Sequence, residues 1–319
     1  YTMSQRVFFF IKVAVALILL SLIFFTVELG DIWEALKTAR FSLIIFGVAL
    51  MPVNLFLQIF KWRYLVGLVH PKVTWNETYG SLLAGISFGI ITPGRIGEYS
   101  RSLFIKDVPP LKLVGLTVID KFYNLGCTVA FGLPALMTLP WANQLISGYM
   151  FVSMMILIFI INGILLWAAI DPRPVRSLIY ALQMMFPRKD HIARLLGGLD
   201  RFSAPQARKT LVLSLLHYTV FHLQYFFLIS GFAKIDFFSS LRAAAAILFT
   251  KSALPIAIGD LGLDQHISMQ FFGEFGVADS AAFNASILMF TANILIPALI
   301  GVLFVSRLQQ REKYQEKIQ

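Results

Sequence analysis

The sequence predicts an all-α polytopic membrane protein, with about six full transmembrane helices plus two re-entrant helical hairpins in an inverted repeat. Three observations lead there. Of 319 residues, 58% are hydrophobic and only 14% charged, where an ordinary soluble domain carries about 25% charged residues. The apolar residues fall in blocks long enough to cross hydrocarbon, which takes roughly 20 residues at 1.5 Å each. Two further apolar blocks are broken at their centres by Pro, Gly and charges.

The full spans are expected at about 7–27, 41–60, 113–139, 148–170, 210–232 and 281–305. The first is longer than a signal-peptide core and lacks a small-x-small cleavage site, so it reads as an uncleaved span. The third contains Asp120, Lys121 and Asn124, and the fourth is the most uniformly apolar. The hairpins are expected at about 80–105 and 241–275. Proline removes a backbone donor and glycine permits positive φ, so Pro93, Gly94 and Gly97 mark one tip and Pro255, Gly259 and Gly262 the other. Arms of about 12–15 residues reach roughly 18–22 Å, past mid-bilayer but not across it. Irregular backbone at that depth needs protein or a wet cavity around it.

Loop charges set the orientation. Segment 171–209 is rich in Arg and Lys, segment 61–78 holds Lys61, Arg63 and Lys72, and the tail holds Arg307, Arg311, Lys313 and Lys317. The alternate loops are poor in bases, so both termini are expected in the cytoplasm. The same order then appears twice with opposite starting sides: two spans, a hairpin, a span. This divides the chain into a first repeat (1–140), a second (141–306) and a basic cytoplasmic tail (307–319). Pro93-x-x-x-Gly97-Glu98 and Pro255-x-x-x-Gly259-Asp260 share their spacing at an offset of 162. Inverted repeats with broken helices are transporter architecture, with the site where the broken elements meet.

Charges inside a bilayer cost at least about 2.5–3.5 kcal/mol each on insertion scales, so they persist where they pair or bind. The candidate substrate-binding residues are Arg95, Glu98, Arg101, Lys121, Lys251 and Asp260, with Asp120, Asn124 and Gln265 as secondary candidates. Arg95, Arg101, Lys121 and Lys251 would form an electropositive pocket suited to a phosphate; the bland alternative is mutual neutralisation without a ligand. Glu98 and Arg101 are three apart and are expected to pair, whereas adjacent Asp120 and Lys121 must face different partners. Asp264 is expected near the outer surface. His217 and His222 lie about 140° apart on a helix and make a poor metal pair. Asn54, Asn124, Asn284 and Asn293 read as interhelical hydrogen bonds, and Trp62, Trp75 and Trp141 as interface anchors.

Cys127 is the sole cysteine, which excludes an internal disulfide. No metal, cofactor or nucleic acid is expected, and the +10 charge suits loops facing anionic lipid. A homo-oligomer is compatible with this composition. No nucleotide-binding G-x-x-x-x-G-K-[ST] run is present.

Pro93-Gly94-Arg95-Ile96-Gly97-Glu98 followed by Arg101 resembles the P-x-R-x-G-E-x-x-R signature of the lysylphosphatidylglycerol synthase transmembrane-region family, also called flippase-like. Pro255 to Gln265 resembles that family's later P-x-x-x-G-x-x-G segment, with Gln265 where Glu is frequent. Asp120-Lys121 with Asn124 stands where the family often has Glu-Arg followed by Asp. The resemblance, over about 5–305, implies transfer of a polar-headgroup lipid between leaflets rather than enzyme activity. It implies a multi-pass protein of a bacterial or archaeal cell (inner) membrane whose substrate is a phospholipid, glycolipid or polyprenyl-type lipid. The synthases' soluble aminoacyl-transferring domain has no counterpart in this sequence. Two other readings stay open: a small-solute or ion transporter, and an intramembrane lipid-modifying enzyme or aspartyl protease using Asp120 and Asp260.

Overall fold

A computed structural model of the chain describes residues 29–92, 94–173, 202–254 and 262–305. The expected first span, Pro93, Pro255, Gly259, Asp260, most of segment 171–209 and the tail lie outside the described residues. Those described are helical, with no strand among them. In order they form α1 (Leu29–Lys37), α2 (Phe41–Gly67), α3 (Trp75–Ile90), a 3-10 helix (Ile96–Leu103), α4 (Pro110–Met137), α5 (Pro140–Leu145), α6 (Gly148–Ile170), α7 (Ala204–Phe232), α8 (Phe237–Ala253), α9 (Leu263–Gly273) and α10 (Asp279–Val305).

Four of these, α2, α6, α7 and α10, are long and apolar enough to cross a membrane. They match four of the expected spans. The 28-residue α4 matches a fifth in length, but Asp120 and Lys121 near its middle make it more polar. The chain is thus an all-α polytopic membrane protein. Its apolar surface is turned outward, most completely on α6, where Phe159, Ile156 and Leu157 are exposed. In hydrocarbon such a face needs no partner, because lipid tails are as apolar as leucine.

Helices α3 and α8 are too short to span: 16 and 17 residues reach roughly 24–26 Å, short of a ~30 Å core. Each starts at a side-chain cap, Thr74 for α3 and Asp236 for α8, and those caps lie 162 positions apart. Each is followed by an element that folds back on it, the 3-10 helix on α3 and α9 on α8. The first returning arm departs from expectation, being a 3-10 helix of eight residues rather than a long α-helix. Gly94 and Arg95 both take left-handed backbone, φ +56° and +55°, which reverses the chain tightly. Thr92 locks the reversal by accepting the Gly97 N–H at 2.7 Å. A Cβ at Gly97 would overlap the Phe88 carbonyl, so the arm can lie this close only with glycine there.

The helices pack crosswise between the two halves of the chain. α2 and α7 run antiparallel along their whole length: Ile44 meets Gly231, Gly47 meets Leu228, and Lys61 meets Ser214. α3 packs on α10 through Gly80 with Phe304 and Ser87 with the Ala298 carbonyl. α4 packs on α8 in the same antiparallel sense, through Gly132 with Phe249 and Arg242 with the Thr138 carbonyl. α10 changes pitch at a π-turn, Thr291–Leu295, just ahead of Pro297. A proline ring clashes with the carbonyl four residues back, and a π-turn relieves that clash.

Two expectations about the membrane edge are corrected. α2 continues to Gly67, so Lys61 is a buried helix residue, not a loop charge, and Trp62 is fully buried, not an interface anchor. α7 begins at Ala204, so Arg208 and Lys209 of the supposed linker are helical.

Candidate functional site

The 3-10 helix and its left-handed cap bring three charged residues at a spacing of three to one side. At three residues per turn, i and i+3 eclipse, so Glu98 and Arg101 project in a row, and Arg95, at the left-handed cap just before the helix, reaches back to Glu98. Gly85 and Gly89 on α3 face the row: a Cβ on either would lie within 3.0 Å of Arg101 or Glu98 atoms. This glycine face lets the arm sit close enough to send its charges toward α4.

There the adjacent Asp120 and Lys121 diverge, as their helical angle requires. Asp120 binds two bases: Arg101 Nη2 donates to Oδ2 at 2.8 Å, and Lys61 Nζ lies 2.8 Å from Oδ1. Arg101 Nε also donates to Thr117 Oγ1 at 3.0 Å, and its guanidinium lies 3.9 Å from the Trp62 ring centroid. Trp62 Nε1 donates to Ser81 Oγ, which donates to the Arg101 carbonyl, at 3.0 and 2.9 Å. Lys61 further donates to Asn124 Oδ1 at 2.5 Å and Ser214 Oγ at 3.0 Å. The side chains of Lys61 and Arg101 are 1% and 2% exposed.

Glu98 also binds two bases, Arg95 at 2.6 Å and Lys121 Nζ. The expected Glu98–Arg101 ion pair does not form: Glu98 is taken by Arg95 and by Lys121 on α4, and Arg101 by Asp120 one residue earlier on α4. Unlike the Asp120 pair, these bases stay partly open, Arg95 at 26% and Lys121 at 36%.

They open onto a cavity of about 620 Å³. Gly94, Arg95 and Tyr99 line it from the first hairpin, and Leu248, Lys251, Ser252 and Asp264 from α8 and α9. Lys251 pairs with Asp264 at 3.3 Å. Asp264 is buried against this cavity, not near the surface as expected. Phe122, Tyr218, Phe221 and Phe290 supply a broad apolar wall, and Cys127 also lines the cavity. A smaller recess of about 120 Å³ adjoins it. Gln58, Arg95, Lys121, Asn124 and His217 line both, while Lys61, Glu98, Arg101 and Asp120 line the recess alone.

Of the remaining candidates, Gln265 caps its own helix, its Oε1 accepting the N–H of Gly262, which has φ +84°. Asn54 donates to Asn293 at 3.0 Å and approaches Gln224 at 3.4 Å, the interhelical role expected of it. Asn124 instead serves Lys61. His222 bonds the Tyr218 carbonyl, while His217 faces the cavity. Among the described residues no three His, Cys, Asp or Glu side chains gather as a metal site. Lys61 and His217 were missed as site residues. The signal for Lys61 was the apolar run Tyr64, Leu65, Val66 beyond it, which carries the helix onward.

The sequence model of the family described as the lysylphosphatidylglycerol synthase TM region matches residues 9–301. No curated protein matches the chain.

Proposed function

The chain belongs to the lysylphosphatidylglycerol synthase transmembrane-region family, and we propose that within it this protein is a lipid translocase. It carries a lipid with a polar or phosphate-bearing headgroup from one leaflet to the other. The observation that carries this reading is the shape and lining of the large cavity. Arg95, Lys121 and the Lys251–Asp264 pair are its polar face, and four aromatic side chains are its apolar face. An amphiphile asks for both, whereas a small hydrophilic solute has no use for the aromatic wall.

In this reading 1–140 and 141–306 are inverted repeats. The antiparallel packing of α2 on α7, and of α3 on α10 beside α4 on α8, supports it. Hairpins from opposite faces would bring their tips to the cavity, and exchange of the two halves' conformations would open it to each leaflet in turn. The termini and the connection 68–74 between α2 and α3 would then be cytoplasmic.

The two bases bound to Asp120 weigh against the aspartyl-protease alternative. Asp120 is held as a carboxylate by both Lys61 and Arg101, a setting unlike that of a pair of acids sharing a proton. The test is reconstitution into liposomes with a fluorescent lipid, followed by quenching from outside. Protein-dependent access to inner-leaflet lipid is expected. Absence of movement under every imposed ion and lipid gradient would overturn the proposal.

A further inference from the structure

The recess beside the large cavity has an unbalanced charge. Asp120 is shared by Lys61 and Arg101, and Glu98 by Arg95 and Lys121. Among the described residues lining the recess, four cationic side chains therefore face two carboxylates. Each ammonium and guanidinium already meets an acid, so the excess does not arise from an unpaired surface base. It is built into the sharing.

A surplus of two positive charges away from bulk water carries a large desolvation cost, and a counter-ion relieves it. The recess has the size for one compact group. Its 120 Å³ is the liquid volume of about four waters. Gln58, Asn124 and His217 add polar side chains around the opening it shares with the cavity. Lys61 spends its three donors on Asp120, Asn124 and Ser214. The donors offered to a tetrahedral oxyanion are therefore those of the partly open Arg95 and Lys121, backed by the buried charge of Lys61 and Arg101. The rest of an attached molecule would extend past Arg95 and Lys121 into the apolar cavity.

We infer that the recess is a phosphate subsite, and that the headgroup it takes is net anionic. A phosphodiester carries one negative charge and halves the surplus of two; a zwitterionic headgroup would leave that surplus unrelieved, and a lysylated one would add to it. This deepens the translocase reading and rests on it for the identification of the ligand as a lipid.

The test is equilibrium binding of radiolabelled phosphatidylglycerol to the purified protein in neutral detergent. Phosphatidylcholine and lysyl-phosphatidylglycerol are the competitors, each expected to displace it at least tenfold less well than unlabelled phosphatidylglycerol. Lys121→Gln, whose side chain is partly open and whose loss leaves Glu98 paired with Arg95, is expected to fold and to weaken binding about tenfold. Arg95→Gln is the second variant. Competition by millimolar glycerol 3-phosphate or inorganic phosphate would identify phosphate alone as sufficient; competition by lipid only would identify the lipid headgroup. Either supports the subsite. Equal binding of phosphatidylcholine, tighter binding of lysyl-phosphatidylglycerol, or a preference for phosphatidylglycerol that survives both variants would overturn it. Binding with this preference but no leaflet exchange would leave the subsite and remove the translocase. Exchange without the preference would do the reverse.

Discussion

The Asp120 and Glu98 clusters have the same composition, one carboxylate between two bases, and opposite exposure. Around Asp120 both bases are sealed, stacked on Trp62 and bonded to Thr117, Ser214 and Asn124. Around Glu98 both bases reach the large cavity. The difference teaches that a buried charge can pin helices or meet a ligand, and that its neighbours decide which. The first cluster ties α2, α4 and the 3-10 helix together. The second presents the same chemistry where a ligand's donors and acceptors can reach it, and the first contributes only its charge to the recess behind.

Substitution of the shared acids breaks this comparison most strongly. Asp120→Ala leaves Lys61 and Arg101 buried without a counter-charge, a loss of about 3–5 kcal/mol. Heating in detergent should show a sharply lowered melting temperature or no folded protein. Gly97→Ala pushes a methyl into the Phe88 carbonyl, and the first arm should detach from α3. Faster proteolysis at 91–104 checks it. Glu98→Gln removes the acid but leaves its bases access to the cavity, so the expected destabilisation is smaller, about 1–3 kcal/mol. Its lipid movement should still collapse, because Arg95 and Lys121 lose their placement. Lys121→Gln sharpens the contrast further: a stability change under about 1 kcal/mol, as for a partly exposed ion pair, with transport reduced about tenfold or more. A melting curve beside a transport rate separates the two. If Lys121→Gln and Asp120→Ala destabilise equally, the division into anchor and contact is wrong.

Much of this was legible in the residues. Pro and Gly amid apolar runs marked the break between α3 and the 3-10 helix, and the divergence of Asp120 and Lys121 followed from 100° per residue. Three things were not. The sealed role of Arg101 depends on Trp62, which reads as an interface anchor only if α2 is ended at 60. Lys61 was discounted for the same reason: charge signals a loop when burial cannot be seen. Asp264 looked peripheral because its partner Lys251 lies across a turn whose depth the sequence does not reveal. In each case the missing information was a tertiary partner, not a local propensity.

In the proposed translocation Arg95 and its neighbours meet the lipid as it passes between leaflets. The direct measurement is the rate of labelled-lipid exchange in proteoliposomes containing either the native protein or Arg95→Ala, each verified as folded by its elution and melting behaviour. Rapid exchange by the native protein, with loss of at least tenfold in Arg95→Ala, is the predicted result; exchange by Arg95→Ala at the native rate would contradict it.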